Sequence, residues 1–273
     1  MIGIISIGFF TYQVQKATRL VMLGSSDSRF DSWNVRIREF ISGWLFQKKV
    51  LRDKIAGIMH VLMFWGFLML STDMFDLATA NAFSQKVLPE ILVGPWNGMV
   101  ELGYFMALIG CVSALTRRVV FTPEKLKGKS QLEGNAILLL IFTITTTSFM
   151  VESAESPSAF WEPLGYWFSE QGLSEQVVII SYWAHMLAIS VFLFLIPLSK
   201  HMHLVMAVPN VFFHDAGPMA RMRPLAIGDD GKAVPLEDLD IDSFGVSSYN
   251  QYSWRQLIDG WSCTSCARCQ DVC

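Results

Sequence analysis

Five stretches of the chain, at about 1–23, 55–77, 97–116, 134–151 and 176–199, stay apolar for roughly the 20 residues that a helix needs to cross a hydrocarbon core of about 30 Å. A backbone in lipid has to satisfy its own N–H and C=O groups, so each run is expected to be an α-helix. Composition agrees, with 52% hydrophobic and 16% charged residues, against roughly 25% charged in an ordinary soluble domain. The first run, MIGIISIGFFTYQVQKATRLVMLG, has neither a basic start nor a small-residue cleavage site, and reads as a retained helix rather than a signal peptide. Gln13, Gln15, Lys16 and Arg19 make it the most polar of the five. The expected fold class is all-α, a five-transmembrane-helix bundle over residues 1–208.

Lys and Arg collect in cytoplasmic loops. Residues 24–54 carry Arg29, Arg36, Arg38, Lys48, Lys49, Arg52 and Lys54, and 117–133 carry Arg117, Arg118, Lys125, Lys127 and Lys129. Residues 78–96 hold only Lys86, and 152–175 hold no Lys or Arg. The amino terminus is therefore expected outside and the segment beyond Lys200 in the cytoplasm. Residues 34–50 mix apolar and basic positions at helical spacing, as expected of a helix in the inner headgroup layer of membrane lipid. Residues 209–250, rich in Pro, Gly and Asp, read as an extended cytoplasmic connector. With 21 Lys+Arg against 24 Asp+Glu there is no basic surplus, and no nucleic acid partner is expected.

Four of the five cysteines fall in the last eleven residues, as Cys263-x2-Cys266-x2-Cys269-x3-Cys273. This is the spacing of a bacterial-type iron–sulfur ligand run, in which three thiolates hold one 4Fe-4S cluster and the fourth reaches a neighbouring cluster. Zinc is the alternative for four cysteines, but zinc pairs stand much further apart. Residues 251–273 thus read as the start of a ferredoxin-type domain. Cys111, in an apolar run, reads as a packing residue.

The five histidines are His60, His185, His201, His203 and His214. His60 and His185 lie within expected spans, where an ionisable side chain is a functional candidate by default. His185 and His203 are 18 residues apart, which on one continuous helix is five turns and about 27 Å along a shared face. That phase favours His203 over His201. His60 and His203 both fall near the cytoplasmic ends of their spans, and two imidazoles from different helices can bind a haem iron on both faces. His185 sits further out, and the second span has Met69 and Leu70 at that level instead of a histidine. A second haem there, or a hydrogen bond from His185 to a quinone carbonyl, both remain open. Asp73, Asp76, Glu152 and Glu155 near the outer ends are candidate acceptors of quinol protons or solvated helix ends.

A five-span bundle carrying His60, His185 and His203 resembles the cytochrome b (gamma) subunit of respiratory nitrate reductase. The stretch VLRDKIAGIMHVLMFWGFLML and the ending WSCTSCARCQDVC look more specifically like the fused membrane iron–sulfur proteins related to heterodisulfide reductase. Membrane quinone oxidoreductases that accept electrons from electron-transfer flavoprotein belong to that group. The resemblance implies haem b held by His60 and His203, a distal haem with His185 as one ligand, and 4Fe-4S clusters on the cysteine run. It departs at Leu70, where the family carries its distal histidine. It also implies a second cysteine run, which would make this chain an amino-terminal fragment.

The expected function is electron transfer between cytoplasmic iron–sulfur clusters and menaquinone or ubiquinone through haem b, in the bacterial or archaeal inner membrane, with a cytoplasmic flavoprotein as partner. The alternatives are a heterodisulfide reductase-like or sulfur-respiration subunit and, in a different class, a cofactor-free membrane anchor.

Overall fold

The computed structural model describes residues 2–83, 89–121, 129–217, 236–238 and 248–264. The described part is helical, with no strand in it. The helices are α1 (Ile2–Val21), α2 (Trp33–Phe40), α3 (Lys54–Phe83), α4 (Glu90–Val120), α5 (Lys129–Glu152), α6 (Pro163–Glu170), α7 (Glu175–Leu195), α8 (His203–Phe212) and α9 (Trp254–Ser262).

Among the described residues four helices, not five, are long and apolar enough to cross a membrane: Lys54–Thr72, Glu90–Val120, Gln131–Glu152 and Glu175–Leu198. The expected first span folds as α1 but falls short, because only its first half is apolar. From Thr11 onward Gln13, Gln15, Lys16 and Arg19 interrupt the run, and the apolar part covers about 14 Å of a core of about 30 Å.

The expected fifth helix is also corrected at its end. It stops at Leu195, passes through a 3-10 turn at Ile196–Leu198 and an extended Ser199, and resumes through Lys200–Met202 into α8. Pro197 has no N–H to continue the ladder and its ring crowds the preceding turn. His185 and His203 therefore lie on different helices, and the five-turn phase between them does not apply.

The chain divides into two compact units. One contains residues 2–10 and 47–199, the other Thr11–Phe46 and 200–264.

In the first unit α3 lies on α4, and α4 and α7 both pack on α5. Small residues let α3 and α4 approach at backbone distance: a Cβ added to Gly66 would sit 2.7 Å from the Ala107 nitrogen and 2.7 Å from the Gly103 oxygen. Gly103, Ala107 and Gly110 share a face of α4 at i, i+4 and i+7, the small-residue spacing typical of membrane helix pairs. Several polar groups on these helices are satisfied internally. Thr143, Thr145, Thr146 and Thr147 donate to carbonyls one turn back on α5. The thiol of Cys111, fully buried, donates to the Leu138 carbonyl, which agrees with its reading as a packing residue. Glu101, only 3% exposed, accepts from the backbone N–H groups of Leu164 and Gly165 in the first turn of α6, where orphan donors and the helix dipole favour a carboxylate.

In the second unit the polar knot is Arg36. The side chain is 1% exposed and donates to the Asp31 carbonyl and carboxylate and to the Phe212 and His214 carbonyls, tying α2 to the end of α8. The Arg36 hydrogen bond holds the Asp31 carboxyl below its ordinary range. Of the helix expected over 34–50, only the part up to Leu45 forms, as α2 continued by one π turn, Ile41–Leu45; the chain then turns at Gln47, whose φ is 50°.

Gly66→Ala forces α3 and α4 apart and is expected to cost about 1–3 kcal/mol, read as a lower thermal midpoint in detergent. Gly8→Ala, with open space at its Cβ, is expected to leave the midpoint unchanged or slightly raised. Equal midpoints for both variants would contradict the close α3–α4 contact.

Candidate cofactor site

Four of the five histidines, His60, His185, His203 and His214, bond an oxygen acceptor through Nδ1. His60, on α3, donates from Nδ1 to the side-chain oxygen of Gln47 at 2.8 Å. His185, on α7, donates from Nδ1 to the Ile144 carbonyl at 3.0 Å, with the Thr147 hydroxyl oxygen as a second acceptor at 3.1 Å. His203, the first residue of α8, donates from Nδ1 to the Lys200 carbonyl at 2.8 Å. Carbonyl and amide oxygens only accept, so the proton of each neutral ring sits on Nδ1 and the lone pair on Nε2. Metal-ligating histidines are held in this way, with the non-ligating nitrogen bonded to an oxygen acceptor that fixes tautomer and orientation. Burial pushes the His203 imidazole below its ordinary value, against the bond to the Lys200 carbonyl, which raises it. The donor set therefore fits haem iron.

Each ring owes its setting to a local device. Asp53 caps α3 by accepting from the Ala56 N–H, and Gly57 lets the Val50–Leu51 turn come down on the helix, where a Cβ would sit 2.7 Å from the Val50 oxygen. His60 is three residues on from Gly57, on the same face. On α5 the Thr147 hydroxyl donates to Thr143, which turns its oxygen lone pairs toward His185. The break around Pro197 produces the Lys200–Met202 turn whose carbonyl receives His203.

His60 and His185 belong to the first unit, His203 and Cys263 to the second. His201 neighbours His203, with ring centroids 6.0 Å apart, and His214 donates to the Val211 carbonyl. Met69 and Leu70, at the expected distal level, lie against Gly103 of α4. Glu152 packs its carboxyl against Gly165, and Glu155 is exposed. The side chains of Asp73 and Asp76 lie outside the described residues.

Of the cysteine run, Cys263 is described, and Cys266, Cys269 and Cys273 lie outside the described residues. Cys263 is exposed and caps the carboxyl end of α9. That helix is strongly held. Ser253 and Gln256 form a capping box at its start, and the Trp254 indole donates to the Asp27 carbonyl. Arg255 donates to the Phe213 carbonyl, Asp259 and Asn210, while Ser262 donates to the Met206 carbonyl at 3.0 Å. Ala17, Met202 and Met206 form a small core with Trp261 against it. The chain entering the cysteine run is thus fastened one turn along α8 from His203.

Two curated proteins are similar to this chain. A probable iron–sulfur-binding oxidoreductase of Bacillus subtilis (strain 168) is 26% identical over 97% of this chain and 38% of its own length. An EtfAB:quinone oxidoreductase of Syntrophomonas wolfei is 28% identical over 88% of this chain and 35% of its own length. The chain is related to oxidoreductases. It spans little more than a third of the length of these two relatives. No protein-family model and no solved structure matches it.

Two residues of this region were not evident in the sequence. Gln47 falls in a basic stretch expected at the lipid headgroups, and Thr147 falls in a threonine-rich run with no sequence mark separating it from its neighbours.

Arg255→Ala is expected to loosen α9 from α8. Charge-assisted hydrogen bonds of this kind contribute about 1.5–3 kcal/mol, so amide hydrogen exchange over 254–262 is expected to speed up roughly tenfold or more. Unchanged exchange would contradict the docking.

Proposed function

We propose that this chain is the membrane electron-transfer part of an iron–sulfur oxidoreductase that joins a cytoplasmic flavoprotein to the quinone pool. The observation that supports the reading is the Nδ1 bonding of His60, His185 and His203, which gives each ring the tautomer that a metal ligand would need. The cysteine spacing supports the cluster side. The names of the two relatives, one iron–sulfur-binding and one an EtfAB:quinone oxidoreductase, support both ends of the route.

In this reading His60 and His203 would each supply an imidazole to haem b, and His185 would hold a second haem or donate to a quinone carbonyl. Cys263, Cys266 and Cys269 hold a 4Fe-4S cluster, and Cys273 reaches a neighbouring one. Haem and cluster, when bound, supply one-electron redox chemistry. The protein's own residues do the rest. Gln47, Ile144 and Lys200 hold the imidazole N–H groups and fix ring orientation. The apolar faces of α3, α4, α5 and α7 exclude water, which raises the weight of each axial and hydrogen-bonding contact. α9, docked on α8, holds Cys263 at the start of the cysteine run. The basic stretches 24–54 and 117–133 put those loops and the segment beyond Lys200 in the cytoplasm, in a bacterial or archaeal inner membrane.

His60→Ala and His203→Ala are each expected to abolish the low-spin haem b spectrum of the full protein in detergent. Cys266→Ser is expected to remove the iron–sulfur EPR signal and keep the haem bands. A wild-type haem spectrum in either histidine variant would overturn the ligand assignment.

A further inference from the structure

Gln47 stands out in the first unit for three reasons together. It is 3% exposed, although it follows Phe46 and precedes Lys48 and Lys49 in a stretch of exposed and partly exposed residues. Its backbone lies in the left-handed region at φ 50°, a conformation that residues other than Gly, Asn and Asp adopt sparingly. Its side-chain oxygen accepts the Nδ1–H of His60 at 2.8 Å. Strained backbone of this kind persists where the surroundings over-determine it, and it gathers at functional positions.

The surroundings are visible. The Gln47 carbonyl accepts from both Val50 and Leu51 N–H groups, closing a tight turn. Gly57 admits that turn against α3, since a Cβ there would meet the Val50 oxygen at 2.7 Å and the Leu51 Cα at 2.9 Å. Left-handed geometry at residue 47 swings its side chain onto the helix face that carries Gly57 and His60. An asparagine would suit the backbone better, but it is one methylene shorter. A glycine would suit it best and would have no amide.

We infer that Gln47 is the positioning residue of His60: its amide oxygen fixes the imidazole tautomer and sets how strongly that ring donates to iron. The inference rests on His60 being an axial haem ligand, as proposed above. The choice of an amide has a chemical consequence. A carboxylate in the same place would draw the Nδ1 proton toward itself, give the ring imidazolate character, strengthen its donation and favour the ferric state. An amide oxygen accepts the same hydrogen bond without that pull. Gln47 thus keeps the ring a neutral imidazole and holds the haem potential up relative to a carboxylate partner.

The test uses the full membrane protein in detergent, with haem per chain and the haem midpoint potential by optical redox titration as readouts. Gln47→Glu is expected to retain haem and to lower the midpoint potential of the His60-ligated haem. Gln47→Gly relieves the backbone while deleting the amide. It is expected to keep the wild-type thermal midpoint, raise the haem potential and weaken haem retention roughly ten- to hundredfold, the usual cost of losing such a partner. A merely structural role predicts wild-type potential in Gln47→Gly, and wild-type potentials in both variants would overturn the inference. His60→Ala separates this from the ligand assignment. If it loses haem while the Gln47 variants titrate as wild type, only the role of Gln47 fails. If it retains haem, the ligand assignment itself fails.

Discussion

The oxygen atoms that receive the imidazole N–H groups of His60, His185 and His203 come from three different places: a glutamine in a left-handed turn, a carbonyl of a neighbouring helix, and a carbonyl of the ring's own preceding turn. An imidazole among apolar helices has no water to bond to, and leaving its N–H unmet is costly. Each of these histidines is therefore matched to a local irregularity of the backbone or to a polar neighbour. The tight turn at Gln47, the threonines of α5 and the break at Pro197 are the features through which the helices depart from uniform apolar rods. The same demand explains Glu101, which answers the orphan N–H groups of α6, and Arg36, which gathers the carbonyls at the end of α8.

Much of this architecture is written in the sequence, and the exceptions have identifiable causes. Four apolar runs became long membrane-type helices because apolar length is a direct signal. α1 was over-read, since its apolar first half resembles a span until Gln13, Gln15, Lys16 and Arg19 are weighed. The continuous-helix phase from His185 to His203 fails at Pro197 and the extended Ser199 behind it, and Ser199 carries no residue-level mark. Gln47 was missed for a stronger reason. Its role depends on a left-handed φ at a residue type that rarely adopts one, and on a partner thirteen residues away across a turn. Neither pattern has a periodic signature. The histidines were found because ionisable residues are rare in such helices, whereas the groups that hold them are ordinary amides, hydroxyls and carbonyls.

The similarity to two oxidoreductases extends over most of this chain and little more than a third of each relative. This chain carries His60, His185 and His203 on α3, α7 and α8, and the first cysteine of its run directly after α9. A short amphipathic helix, capped at its start and bonded along α8 through Arg255, Asn210, Asp259 and Ser262, brings the first cysteine to a defined place rather than leaving it on a free tether.

The most direct measurement is haem b and iron per chain on the purified wild-type membrane protein, by pyridine haemochrome and metal analysis. The account predicts one or two haems b per chain, with non-haem iron in excess of haem iron. A folded, detergent-stable protein with no haem would contradict it and leave a cofactor-free membrane anchor as the better description.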